Sequence, residues 1–247
     1  MRPVVRGAVP QVNGQPKTVS NYKNWRADLI ARMGAYCCYC TMRLPESPQV
    51  EHVTAQKIAS SQALTWDNLV LACGACNSRK NASSCAPSTH FLPDTHNTHL
   101  AFEQQIVPHP KQRGQLAAII RVRPGLTPAQ QDKAQATIDL CGLANIPTDR
   151  RRMMQAIDLR WKYRYQEMLE AGIQRKNWNS TNATGQALLL DCIRAIVERG
   201  GFFSVWFDAF HDVPPVKQVL LNAFPGTAGN CFPAPSFDPI ARIPGDL

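Results

Sequence analysis

The chain has 247 residues, 44% apolar and 18% charged, which suits a globular protein with a real core and excludes a disordered one. Lysine and arginine outnumber aspartate and glutamate by 27 to 18, a net charge of +9 that suits a polyanionic partner as readily as a plain basic protein. No apolar run reaches membrane-spanning length and the first residues hold no signal-peptide core, so the expected compartment is the cytoplasm, where nine cysteines point to reduced thiols and metal.

Residues 1–20, rich in Pro, Gly, Val and Gln, read as an extended arm. From Tyr22 to Met33 the apolar residues Trp25, Leu29, Ile30 and Met33 recur at helical spacing, with Gly34 as the stop. Cys37 and Cys40 form a first Cys-x-x-Cys pair. Val50–Val53 and Leu69–Ala72 read as short strands, the second leading into the pair Cys73 and Cys76. Ser78-Arg79-Lys80, after Asn77, suits a helix or turn, so the segment reads strand, loop, strand, helix. Residues 82–110 are interrupted by Pro87, Pro93, Pro108 and Pro110 and read as loop, although they hold His90, His96, His99 and His109. Their spacing suits ordinary loop histidines better than a further metal site. Thr127 caps a helix with Pro128 at its first position and Gln130 behind it. Pro147 opens a long helix to about Ala171, ended by Gly172, and Ala187–Arg199 is a third helix closed by Gly200-Gly201. Phe202–Phe210 and Val216–Phe224 pack on these helices. The expected fold is α+β, mostly α, in three parts: an arm (1–20), a metal-bearing module (21–110) and a helical C-terminal domain (111–247).

The cysteine pairs carry the strongest signal. Two C-x2-C pairs separated by 32 residues in a reduced chain have the spacing of a structural zinc site, because four thiolates leave no open position for water. Cys38 competes with Cys37, and only the 37/40 choice repeats the spacing of the second pair. Between the pairs lie Glu51-His52 and Trp66-Asp67-Asn68-Leu69, and Asn77 follows the second. Hydrolysing a phosphodiester needs an activated water and neutralised phosphoryl oxygens. Histidine is the side chain whose ordinary proton exchange falls near working pH, so His52 is the candidate to take the water proton. Glu51 and the side-chain oxygen of Asn77 suit a hard cation, Mg2+ or Mn2+, although adjacent strand residues face opposite ways and Asn77 could instead cap its helix. Asn68 suits a residue that ties down the loop carrying His52, or an ordinary turn asparagine. Arg79 and Lys80 could meet substrate phosphate or form a solvated basic turn. Trp66 reads as packing.

Cys37-Cys38-Tyr39-Cys40, Glu51-His52-Val53, Trp66-Asp67-Asn68-Leu69, Cys73-Gly74-Ala75-Cys76-Asn77 and Lys80 together resemble the HNH endonuclease motif in its four-cysteine zinc form. The resemblance implies a zinc-stapled ββα-metal module with His52 as general base, Asn68 steadying the loop, and Asn77 with Glu51 holding the catalytic metal. DNA is the substrate it implies, with RNA an open alternative. In size and layout the chain is also similar to the nuclease subunits of Septu and some retron anti-phage systems, which implies a partner ATPase.

The leading reading is therefore a magnesium-dependent, zinc-stabilised endonuclease. A zinc-binding nucleic-acid module without catalysis and an effector whose helical part docks on a partner are the alternatives. Arg150-Arg151-Arg152 and Arg160-Trp161-Lys162-Tyr163-Arg164-Tyr165 suit either phosphate contact with base stacking or a helix with aromatics inward and arginines in solvent.

Overall fold

Asn21 accepts a hydrogen bond from the Lys23 amide and starts a 3-10 turn, Tyr22–Trp25, that runs into helix α1, Arg26–Met33. The computed structural model describes residues 1–44, 46, 48–83, 85–148, 158–243 and 246–247. A short exposed hairpin, β1 (Gln11–Val12) with β2 (Gln15–Pro16), precedes α1. Leu29 and Met33 bury one face of α1, and Gly34 ends it at φ 69°, a backbone region that costs glycine little.

Strands β3 (Gln49–His52) and β4 (Leu69–Ala72) pair antiparallel, with Gln49 opposite Ala72 and His52 opposite Leu69. All four β4 residues are buried, as a strand covered on both faces requires. Helix α2 (Gly74–Lys80) follows, its N-cap Cys73 accepting from the Cys76 amide through sulfur. Strand, strand and helix therefore follow the order expected from the sequence.

Three expectations need correction. The first residues are extended, but Met1–Val4 are buried in the core rather than an exposed arm. Arg2 alone donates to the carbonyls of Phe224, Pro225 and Met33 and to Thr227 Oγ1. The stretch read as loop holds a one-turn helix, α3 (Thr98–Ala101), and strand β5 (Phe102–Pro108), which pairs in seven-residue register with β6 (Leu116–Val122). The turn of that hairpin spans the expected module boundary at 110/111. Lastly, Gly172 does not end its helix.

Helix α4 (Pro128–Cys141) carries a capping box between Thr127 and Gln130, with proline at its first turn. Helix α5 (Arg160–Ser180) runs straight through Gly172, since an interior glycine costs only about 1 kcal/mol and buried Ala171 and Trp178 hold the helix on both sides. Asp149 and the run Arg150-Arg151-Arg152 lie outside the described residues. Helix α6 (Ala183–Gly200) begins one turn earlier than expected, and the aromatic tail forms α7 (Phe203–Ala209) and α8 (Pro214–Ala223). The fold is mixed, with helices predominating, and among the described residues no helix is long and apolar enough to cross a membrane.

One core cluster surrounds the cysteines, α1, β4 and α4, and a second, rich in phenylalanine, joins α5 to α8. They meet where the first cysteine loop touches the end of α6. Met42 pairs with Gly201, and the Phe202 amide donates to the Thr41 carbonyl at 2.8 Å. A Cβ on Gly201 would lie 2.6 Å from that carbonyl, so this contact requires glycine.

Candidate active site and metal centre

The two cysteine pairs converge. The Sγ atoms of Cys37, Cys40, Cys73 and Cys76 all lie within 4.8 Å of one another, and all four residues are buried. Four sulfurs at about 2.3 Å from a tetrahedral zinc sit about 3.8 Å apart; Cys40 and Cys73 are 3.7 Å apart. Burial pushes the Cys37 and Cys76 thiols well up. Burial also opposes ionisation of Cys40, but hydrogen bonds from Cys37, Cys73 and Cys76 outweigh it and carry that thiol well down. Four buried thiols this close together can all ionise only around a cation, and the donor set could hold a zinc ion. Cys38 falls outside the group: its amide donates to the Leu71 carbonyl, and burial pushes its thiol up to about 11.

Beside this centre, Tyr22, Glu51, His52, Lys57, Asn77 and Ser78 line a cleft of about 340 Å³. Strand alternation sets Glu51 and His52 on opposite faces, yet both reach the cleft because β3 ends at His52. The His52 ring packs on Tyr22 at 4.6 Å between centroids, and its Nε2 lies 2.9 Å from the Ala63 carbonyl. A carbonyl only accepts, so Nε2 carries the proton and, in the neutral ring, the lone pair is on Nδ1. Among the described residues Nδ1 has no protein partner.

Asn68, at the end of a 3-10 turn (Trp66–Asn68), is buried and clamps the loop after β3. Its Oδ1 accepts from the Thr54 amide at 2.7 Å, and its Nδ2 donates to the carbonyls of Thr54 and Gln62. Gln62 precedes the carbonyl that holds His52. Trp66 packs on Trp25 at 5.2 Å and donates to the Gly7 carbonyl.

Asn77 is not the helix cap, since Cys73 fills that position and Asn77 lies one turn inside α2. Its Nδ2 donates to Gln49 Oε1 at 2.7 Å, and among the described residues nothing donates to its Oδ1, an oxygen suited to a cation at the cleft. Burial pushes the Glu51 carboxyl above its ordinary range, with the Lys80 ammonium opposing that rise from 2.9 Å. A carboxylate and a carboxamide oxygen facing one open cleft fit a hard divalent cation that keeps several waters.

Lys80 corrects a further expectation. It is fully buried, and its Nζ donates to Glu51 and, at 2.7 Å, to the His52 carbonyl, so no free ammonium remains for a phosphate. Arg79 is turned away from the cleft toward Asp158, 3.7 Å distant. Lys57, which the sequence did not single out, is the exposed lysine on the cleft wall. Its signal was its place five residues after His52, on the loop that Asn68 clamps. The loop histidines go elsewhere: His96 faces Asp246, His99 faces Asp208, and His109 accepts from the Lys111 and Gln112 amides.

Both readings of the basic, aromatic start of α5 also fail. Arg160, Trp161 and Arg164 are buried, while Lys162 and Tyr163 are exposed. Arg164 donates to the carbonyls of Ala118 and Leu143, and Arg160 to those of Cys141 and Gly142. The two arginines are internal cations that fasten the helix to the rest of the fold.

An antiparallel strand pair runs into a short helix, with a four-thiol centre beside it and a cleft lined by histidine, glutamate and asparagine. Residues 37–83 match the family model for HNH endonuclease, a family whose members hydrolyse nucleic acid. No curated protein and no solved structure matches the chain.

Proposed function

We propose that this protein is a metal-dependent endonuclease that hydrolyses phosphodiester bonds of DNA, with His52 as its general base. The observation that carries the reading is the hydrogen bond from His52 Nε2 to the Ala63 carbonyl, which leaves the basic nitrogen to a cleft shared with Glu51 and Asn77. His52 Nδ1 takes a proton from water as that water attacks phosphorus in line, and the imidazolium formed keeps its Nε2–H on Ala63. Asn68 holds both ends of the loop and so keeps that carbonyl in place. Glu51 and Asn77 Oδ1 would hold Mg2+ or Mn2+, which supplies charge neutralisation at the phosphoryl group and the leaving 3′ oxygen. The products carry 5′ phosphates. Zinc on the four cysteines is structural in this proposal. An effector role in anti-phage defence beside a partner ATPase extends it, supported by the likeness in layout alone.

The test is plasmid cleavage by the zinc-loaded chain with Mg2+, Mn2+ or a chelator, beside Asn77→Ala. Cleavage should require the divalent ion, and the variant should need much more of it while keeping its fold, because its side chain is half-exposed. Activity indifferent to both changes would place the chemistry elsewhere.

Lys57 gives a separate expected result. Removing one phosphate contact should weaken DNA binding about three- to tenfold and lower the slope of log affinity against log salt by about 1. Lys57→Ala, titrated by gel shift at several salt concentrations, checks this; an unchanged slope would take Lys57 off the DNA path.

A further inference from the structure

We infer that Arg160, at the start of α5, belongs to the zinc centre as an outer hydrogen-bond donor, so that the C-terminal helical region is fastened to the metal site itself. This rests on zinc occupying the four cysteines and on nothing in the nuclease reading. The guanidinium is buried, and Asp158 grips one side of it, with Nε on Oδ1 and Nη2 on Oδ2, each at 2.7 Å. The carbonyls of Cys141 and Gly142, just past α4, accept from Nη1 at 3.0 Å and from Nη2 at 2.9 Å. Nη1 also lies 2.9 Å from Cys76 Sγ, across 84 residues of sequence.

The charges explain why an arginine stands there. Zinc on four thiolates carries a net charge of −2, here on four buried cysteines. A buried anion is costly unless donors meet it, and a charge-assisted N–H to thiolate bond meets it directly. Asp158 fixes the fork so that the remaining N–H points at sulfur. A guanidinium so held withdraws charge from Cys76, which slows protonation or oxidation of the ligand and hence metal loss. The same bond ties the seating of α5 to a zinc ligand.

The experiment uses the full chain and Arg160→Met, Arg160→Lys and Arg164→Met. Arg164 is equally buried on the same helix but donates to Ala118 and Leu143 carbonyls, with no sulfur partner, so it reports the cost of removing a buried arginine as such. Zinc content of the wild type is read first. Release of zinc to a chromogenic chelator should be about 10–100-fold faster in Arg160→Met, intermediate in Arg160→Lys, and near wild type in Arg164→Met. In cobalt-substituted protein the thiolate-to-metal charge-transfer band should move to lower energy in Arg160→Met and stay put in Arg164→Met. Should Arg160→Met fail to fold, Arg160→Lys carries both readouts. Unchanged release and an unmoved band would overturn the inference, as would equal effects in the Arg164 variant. A wild type that binds no zinc would overturn the zinc reading with it. None of these readouts uses DNA cleavage, so the nuclease proposal stands or falls separately.

Discussion

His52→Ala loses cleavage by about 10²–10⁴-fold in kcat while zinc content, folding and DNA binding persist; that is the expected result if His52 is the base. The variant keeps its fold because the ring is at the cleft wall and gives up one hydrogen bond, to Ala63, worth about 1 kcal/mol, plus its contact with Tyr22. Binding should persist because the exposed lysine lining the cleft is Lys57, which the variant leaves in place. Single-turnover cleavage of supercoiled plasmid, with a parallel gel shift, separates the two quantities. A variant that keeps more than about a tenth of the wild-type rate would remove His52 from the chemistry. A wild type that binds DNA and never cuts it, with zinc and magnesium present, would favour the non-catalytic module instead.

The second large effect is on stability. Structural zinc contributes about 10–16 kcal/mol to the folding of small zinc modules, against a total stability of about 5–15 kcal/mol for a domain. Here the ion would join two loops 33 residues apart in sequence, between β4 and the end of α1, and the strands it fastens are only four residues long. Stripping zinc with a strong chelator, or Cys73→Ser, should therefore melt the module. A loss of even 5 kcal/mol lowers Tm by about 10–20 °C in a chain of this size. Fluorescence of Trp25 and Trp66, buried and packed against each other at a tilt within the module, reports the change. A melting curve indifferent to chelator and to Cys73→Ser would mean that the thiols form an ordinary core.

What was legible in the sequence was whatever rests on short-range rules. The spacing of the four cysteines, the strand–strand–helix order and the Thr127 capping box each follow from residues a few positions apart, or from ligand chemistry that tolerates few substitutes. What escaped was set by partners far along the chain. Lys80 reads as a basic surface residue until Glu51 and the His52 carbonyl are seen to take up its ammonium. Arg160 and Arg164 read as solvent or substrate contacts because the carbonyls that bury them come from Cys141, Gly142, Ala118 and Leu143; Asp158, only two residues before Arg160, looks like a surface partner until those carbonyls close over the pair. Strand β5 was hidden by polar residues at positions 103–105 and by the prolines around it, and only pairing with β6 makes it a strand. Glycine was a sound guide at one position and misled at another. Gly34 ends a helix, Gly172 sits inside one, and the difference lies in the packing beyond it rather than in the residue.

Arg2 bears on how the molecule comes to exist in time. Its guanidinium joins the Met33 carbonyl to those of Phe224 and Pro225 and to Thr227, contacts separated by as many as 225 residues. Closing so long a loop is slow, and during synthesis it cannot begin before residue 227 has left the ribosome. The four cysteines, by contrast, have all been made by residue 76 and can gather first. A growing chain thus has its cleft residues in hand long before the brace behind α1 can close, and a ribosome that stalls midway leaves the protein unfinished at its most remote joint.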